Sequence, residues 1–190
     1  NPKKKEKRAG VYRFLLILFK SMKKEKVKHK IIKNFLDINS FEKIKNLVTD
    51  KDFPWRRRDH TTELVDNKMF FSHSFYFGMM PTSDLYRPYI VPILKKLKAT
   101  APVGVRANMF VSALIKDSPW HRDLDFDCRT AILYLNDCDG EGGTQLKINN
   151  KIIFIKAEAN KLLVFDTLTM HKVIPSKESV RYIINFNYYE

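Results

Sequence analysis

The second half of the chain alternates apolar and polar positions with a period of two. In Val105–Val111, Arg106, Asn108 and Phe110 fall on one face and Ala107, Met109 and Val111 on the other. In Thr130–Asn136, Thr130, Ile132, Tyr134 and Asn136 oppose Ala131, Leu133 and Leu135. In Arg181–Tyr188, Arg181, Ile183, Asn185 and Asn187 oppose Tyr182, Ile184, Phe186 and Tyr188. This is the pattern of half-buried strands. Each has one apolar face, suited to packing on helices or a second sheet, and one mixed face, suited to the inside of a barrel that holds a polar ligand. Gly140, Gly142 and Gly143 predict a hairpin, Asn149-Asn150 a second, and Ala157 to Asn160 a third. Short strands at this spacing predict a jelly roll.

Upstream the pattern changes. Ile31–Leu36 reads as a short first strand, and Asp37–Ser40 supplies caps for an amphipathic helix over Phe41–Val48, with Phe41, Ile44 and Leu47 on one face. Residues 56–68 are polar and include Arg56-Arg57-Arg58. Met69–Phe77 is an aromatic-rich strand at the edge of a pair, and Gly78–Pro88 is a loop with two prolines. Tyr89–Leu97 reads as a helix with Pro92 near its start, where proline is tolerated. The expected architecture is an all-β core with N-terminal helices. The segment Pro54–Arg87, lying outside the core strands, is the expected lid over a site.

A chain of 190 residues with 44% apolar and 13% aromatic residues suits one domain with its own core. The net charge of +14 is unevenly spread: residues 1–33 carry thirteen Lys/Arg against two Asp/Glu, and the remainder is close to balance. The expected division is therefore a basic, partly disordered or non-native extension over 1–33 and a single domain over 34–190. The extension is a candidate contact for nucleic acid or an anionic surface. Val11–Phe19 is apolar but about half the length of a membrane span, Arg13 interrupts it, and Lys20-Ser21-Met22-Lys23-Lys24 follows in place of a small-residue cleavage site. No transmembrane segment is expected, and Met22 is a candidate natural start. Two cysteines, Cys128 and Cys138, make no disulfide framework, which points to a reducing cytoplasm.

Among five histidines, His121 stands two residues before Asp123, His171 follows fifty residues after His121, and Arg181 lies ten residues beyond His171. Two imidazoles and a carboxylate form the facial triad of non-haem Fe(II) oxygenases. An arginine on the mixed face of a buried strand needs an anionic partner, and a ligand carboxylate held in a bidentate pair is one that suits it. His29, His60 and His73 have no such companions.

These residues carry a resemblance. Together with "TAILYLND…GGT", "NKLLVFDTLTMHKV" and "RYIINFNYYE", they resemble the catalytic core of the 2-oxoglutarate/Fe(II) dioxygenases, and within them the prolyl 4-hydroxylase-like branch and its small phage-type members. "GVRANMF" and "FPW…MFFSHSFYF" extend the likeness, which covers roughly residues 34–190. The resemblance implies a double-stranded β-helix. It implies Fe(II) held by His121, Asp123 and His171, with Asp125 and Asp127 as competing carboxylates left in the loop. It implies 2-oxoglutarate held by Arg181 and Tyr134, with Asn185 at a position where the family often has a hydroxyl residue. Phe110 stands where a tyrosine is frequent. The implied reaction consumes 2-oxoglutarate and O2, yields succinate and CO2 and hydroxylates a prime substrate, with an amino-acid side chain of a protein or peptide favoured and ascorbate keeping the iron reduced. The implied location is the cytoplasm, that of the host cell for a phage protein. Two other readings stay open: a catalytically silent jelly-roll metal-binding module, and a nucleic-acid oxidative demethylase. The second lacks the further arginine such enzymes carry near the last strand, since no arginine follows Arg181.

Overall fold

Ten residues of one strand, β11 (Val180–Tyr189), form the spine of the molecule, pairing antiparallel with β5 (Ala101–Val111) on one side and β6 (Arg129–Tyr134) on the other. The computed structural model describes residues 29–59, 69–114, 118–138, 140, 142–176 and 180–190. The basic extension up to Lys28, the apolar nonamer, Met22 and His60 lie outside the described residues.

Outward from β11 the larger sheet runs through β6 and β9 (Leu162–Asp166) to β1 (His29–Ile32), and through β5 and β3 (Phe70–Phe77) to β2 (Arg56–Arg58), with β4 (Met80–Pro81) paired on β3. The smaller sheet holds β10 (His171–Ile174), β7 (Gly143–Ile148) and β8 (Lys151–Lys156). Two facing antiparallel sheets of this kind make the expected jelly roll.

The period-two alternation divides the core as the sequence predicts. Val105, Ala107, Ala131, Leu133, Ile184 and Phe186 pack with helices α1 (Ile38–Thr49) and α2 (Val91–Leu97) on the outer side of the large sheet. Phe110, Ile132, Tyr134 and Ile183 point inward and meet Leu146, Ile155 and Val173 of the small sheet. Asp37 caps α1, its carboxylate accepting from the Ser40 amide at 2.9 Å, and Phe41, Ile44 and Val48 are its buried stripe. A π-helical turn, Tyr86–Ile90, leads into α2, whose first turn contains Pro92.

Three expectations are corrected. The first strand ends at Ile32, not Leu36: Asn34 adopts φ 49°, which Asn tolerates, and turns Phe35 and Leu36 into the core under α1. Of the three predicted hairpins, only Asn149-Asn150 is one; its φ values of 50° and 60° give the primed turn that joins β7 to β8. The segments around Gly142 and Ala157–Asn160 carry the chain from one sheet to the other, β6 to β7 and β8 to β9. Gly143 is required there for space: a Cβ would drive into the Ile155 carbonyl and lie 2.8 Å from the Phe154 ring. Lastly, Pro54–Arg87 is not external to the sheet, because β2 and β3 belong to it and Phe71 to Tyr76 pair with β5.

The crossover at Asn160 also anchors the N-terminal segment. Its side chain donates to the Leu36 carbonyl at 2.8 Å and accepts from the Leu36 amide at 2.9 Å, while its own φ is 59°. Asn160→Ala should cost about 2–3 kcal/mol in urea unfolding, through two lost buried bonds and a strained backbone. Asn160→Gly, which accepts that φ, should recover the backbone part alone.

Candidate metal centre

Ligand atoms of His121, Asp123 and His171 all lie within 4.8 Å of one another. Two pieces of chain bring them together. His171 opens β10. His121 forms an isolated backbone bridge with it, each amide donating to the other's carbonyl at 2.9 Å. Asp123 follows on the loop toward β6.

Each imidazole is oriented by its own loop. His121 Nδ1 lies 3.1 Å from the Pro119 carbonyl and His171 Nδ1 lies 3.0 Å from the Thr169 carbonyl, so each Nδ1 donates to its carbonyl and each Nε2 is the nitrogen turned toward Asp123. The two Nε2 atoms stand 3.9 Å and 3.6 Å from Asp123 Oδ1. Burial, then the nearby His171, push His121 down from its ordinary value, which favours the neutral ligand form. Burial opposes ionisation of Asp123, but His171, Arg106 and the Asn187 amide outweigh it and hold the carboxyl well below the usual range. A site with two imidazole nitrogens and one carboxylate oxygen fits a divalent metal of the iron type.

The far oxygen of Asp123 is taken. The side-chain amides of Asn185 and Asn187 both donate to Oδ2 at 3.0 Å, and Asn187 also donates to Thr130 Oγ1 at 3.0 Å. Oδ1 is left facing the two imidazoles. Arg106 reaches it from the solvent side at 3.6 Å. Asn185, expected near the cosubstrate, thus meets the carboxylate of the triad through its amide, while its Oδ1 is buried without a partner. Asn187 and Arg106 were not singled out by sequence. Both lie on the mixed faces of their strands, and that alternation was the signal.

Arg181 is 1% exposed and stands on the same face of β11. It donates through Nη1 to the Gly143 carbonyl and through Nη2 to Thr144 Oγ1 at 3.2 Å. Tyr134 donates to the same Thr144 hydroxyl at 2.8 Å, and the guanidinium lies over the Phe110 and Tyr134 rings at 5.3 Å and 5.5 Å. No carboxylate pairs with Arg181 among the described residues, and its Nε is buried without an acceptor. Burial lowers its pKa, and a buried cation without an anion is a costly arrangement. The cradle fits a carboxylate-bearing ligand. Thr144, which joins tyrosine to arginine, is a further member that sequence reasoning passed over inside its "GGT" block.

The remaining candidates resolve as structure. His73 is buried against Phe53 and Phe75 and bridges the Pro54 carbonyl and Ser83 Oγ. Asp125 and Asp127 are exposed. Cys128 contacts Thr167 Oγ1, and burial raises its pKa, so it is an unreactive thiol.

Several solved structures resemble this one. A prolyl hydroxylase from Trichoplax adhaerens, in complex with a hypoxia-inducible-factor oxygen degradation domain peptide fragment, is 17% identical, with a TM-score of 0.66 over 86% of this chain and 84% of that one. A prolyl-4-hydroxylase from Pseudomonas putida is 12% identical, with a TM-score of 0.64 over 86% and 93%. An oxidoreductase of the 2OG-Fe(II) oxygenase family from Burkholderia pseudomallei is 10% identical, with a TM-score of 0.68 over 86% of each. No protein-family model and no curated protein matches the chain. The likeness establishes the fold as the double-stranded β-helix of such oxygenases.

The two asparagines should be measurable through the metal. Asn187→Ala removes a donor from Asp123 Oδ2, lets the carboxylate swing and raises its pKa toward the ordinary range. Co(II) affinity, followed by visible absorption, should fall about tenfold, as for other groups that orient a ligand. The double substitution of Asn185 and Asn187 should fall further.

Proposed function

We propose that this protein is a 2-oxoglutarate- and Fe(II)-dependent dioxygenase that hydroxylates a peptide or protein side chain. The observation that supports this most directly is the pairing of two features inside one sandwich: a two-histidine, one-carboxylate cluster, and a buried arginine with no carboxylate partner among the described residues. His121, Asp123 and His171 would hold iron, and Arg181 with Tyr134 would hold the distal carboxylate of 2-oxoglutarate. Bound Fe(II) would supply the activation of O2, coupled to loss of CO2 from 2-oxoglutarate and hydroxylation of a C–H bond.

The protein's own contribution is positioning. The backbone carbonyls of Pro119 and Thr169 fix both imidazole tautomers, and the asparagine pair fixes the carboxylate so that one oxygen faces the metal position. Arg181 offers a planar fork for a carboxylate, and the Phe110 and Tyr134 rings exclude water beside it. Phe110 gives a stacking surface but no hydrogen bond.

Peptide substrates are supported by the sequence resemblance and by the Trichoplax neighbour, whose structure contains a peptide. The kinship with phage-type members, the use of ascorbate and a cytoplasmic location rest on the sequence reading alone. None of the described helices is long and apolar enough to cross a membrane. The competing reading is a metal-binding module without turnover. Incubation with Fe(II), 2-oxoglutarate and O2 separates the two, because a dioxygenase releases succinate slowly even without prime substrate.

Arg181→Ala removes a charge-assisted bond of about 1.5–3 kcal/mol and leaves a buried carboxylate unpaired. The 2-oxoglutarate requirement should rise about a hundredfold, while Fe(II) affinity stays as in the wild type. Arg181→Lys should recover only part, keeping the charge but not the fork. Asp123→Ala should show the reverse: metal binding lost, fold retained by circular dichroism. Equal 2-oxoglutarate affinity in wild type and Arg181→Ala would falsify the cosubstrate assignment.

A further inference from the structure

Cross-strand partners in an antiparallel sheet share a face, so the registers identify which side chains lie on the same face of the sheet as the metal centre. Ile183 pairs with Asn108, Asn108 with Ser72, and Ser72 with Arg56. One step along, Arg181 pairs with Phe110, Phe110 stacks on Phe70 at 5.4 Å, and Phe70 pairs with Arg58. On the other side, Asn185 pairs with Arg106. Arg56, Arg58 and Arg106 therefore project from the inner face, the face of Asp123 and Arg181. Arg57 projects from the opposite face and pairs with Asp59 at 2.6 Å.

All three inner arginines are exposed. Neither Arg56 nor Arg58 has an ion pair among the described residues, and Arg106 has only Asp123. That partner is the oxygen shared with the two imidazoles, so a metal held there would engage it and weaken its attraction for Arg106. The strand β2 ends the large sheet, and among the described residues no strand pairs on its outer side. With no described strand on it, that edge can take an extended chain, and Arg56 and Arg58, two residues apart, stand roughly 7 Å from each other on one face.

We propose that this arginine face docks an acidic, extended segment of a peptide or protein substrate, with carboxylates at alternate positions meeting Arg56 and Arg58 and Arg106 guiding the chain toward the metal. This rests on the dioxygenase reading and adds a substrate class to it. Three strand spacings separate β2 from β11, roughly 14 Å, which an extended chain crosses in about four residues. The acidic pair therefore lies about that far from the oxidised residue. A backbone edge favours a polypeptide over a nucleic acid, which has no strand to add.

The test uses the full chain and a fluorescein-labelled peptide of four Glu-Val repeats, followed by fluorescence anisotropy without iron or 2-oxoglutarate. Arg56→Ser and Arg58→Ser should each weaken binding about threefold and the pair about tenfold, consistent with exposed ion pairs. Arg57→Ser makes the same change of charge on the opposite face and should leave binding unchanged. A Lys-Val repeat should not bind. Equal effects of all three single substitutions, or no binding of the acidic peptide by wild type, overturn the proposal. Tighter, Arg56- and Arg58-dependent binding of oligo-dT assigns the face to nucleic acid instead. Succinate release is measured separately on the same variants. Absence of release with arginine-dependent binding removes the enzyme reading alone, and release without that binding removes the docking surface alone.

Discussion

Alternation along β11 governs what this protein can hold. The strand lies at the centre of the large sheet with a paired neighbour on each side, so neither its register nor its facing can slip without moving β5 and β6. Its outward residues, Ile184, Phe186 and Tyr188, are committed to the core under the helices. Its inward residues are then forced into the space between the sheets, and three of the four are polar: Arg181, Asn185 and Asn187. Apolar burial on one side stabilises the placement of polar groups on the other, groups that would be costly to bury on their own. The carboxylate of Asp123 accepts from the amides of both asparagines, and the cradle around Arg181 leaves the third with an unmet need for an anion.

Much of this was legible in the residues. The period of two in three strands gave their facing, and facing alone brought Arg181 and Tyr134 inside. What stayed hidden was set by tertiary context. A short turn of glycine or asparagine has the same composition whether it closes a hairpin or carries the chain to the opposite sheet, so Gly140–Gly143 and Ala157–Asn160 differ from the expectation while Asn149-Asn150 matches it. The β1 boundary depended on Asn34 taking a left-handed conformation, a choice its neighbours make. Asn185 was picked for the right face, yet its amide finds Asp123, because the loop carrying that aspartate folds back over β11. Pro54–Arg87 looked peripheral because its strands are short or interrupted by a bulge, although β3 is fully integrated beside β5.

The two histidines illustrate a different economy. Their backbones are bonded directly to each other, so the pair of imidazoles is one unit of the small sheet and not two loops that happen to meet. The spacing between them along the chain therefore carries little weight. Residues added or removed at the Asn149-Asn150 turn change the count from His121 to His171 without touching the bridge, whereas a single residue inserted between His121 and Asp123 rotates the carboxylate away. The fold therefore ties the centre to the short His-x-Asp interval and leaves the length of the chain across the middle of the sandwich unconstrained by it.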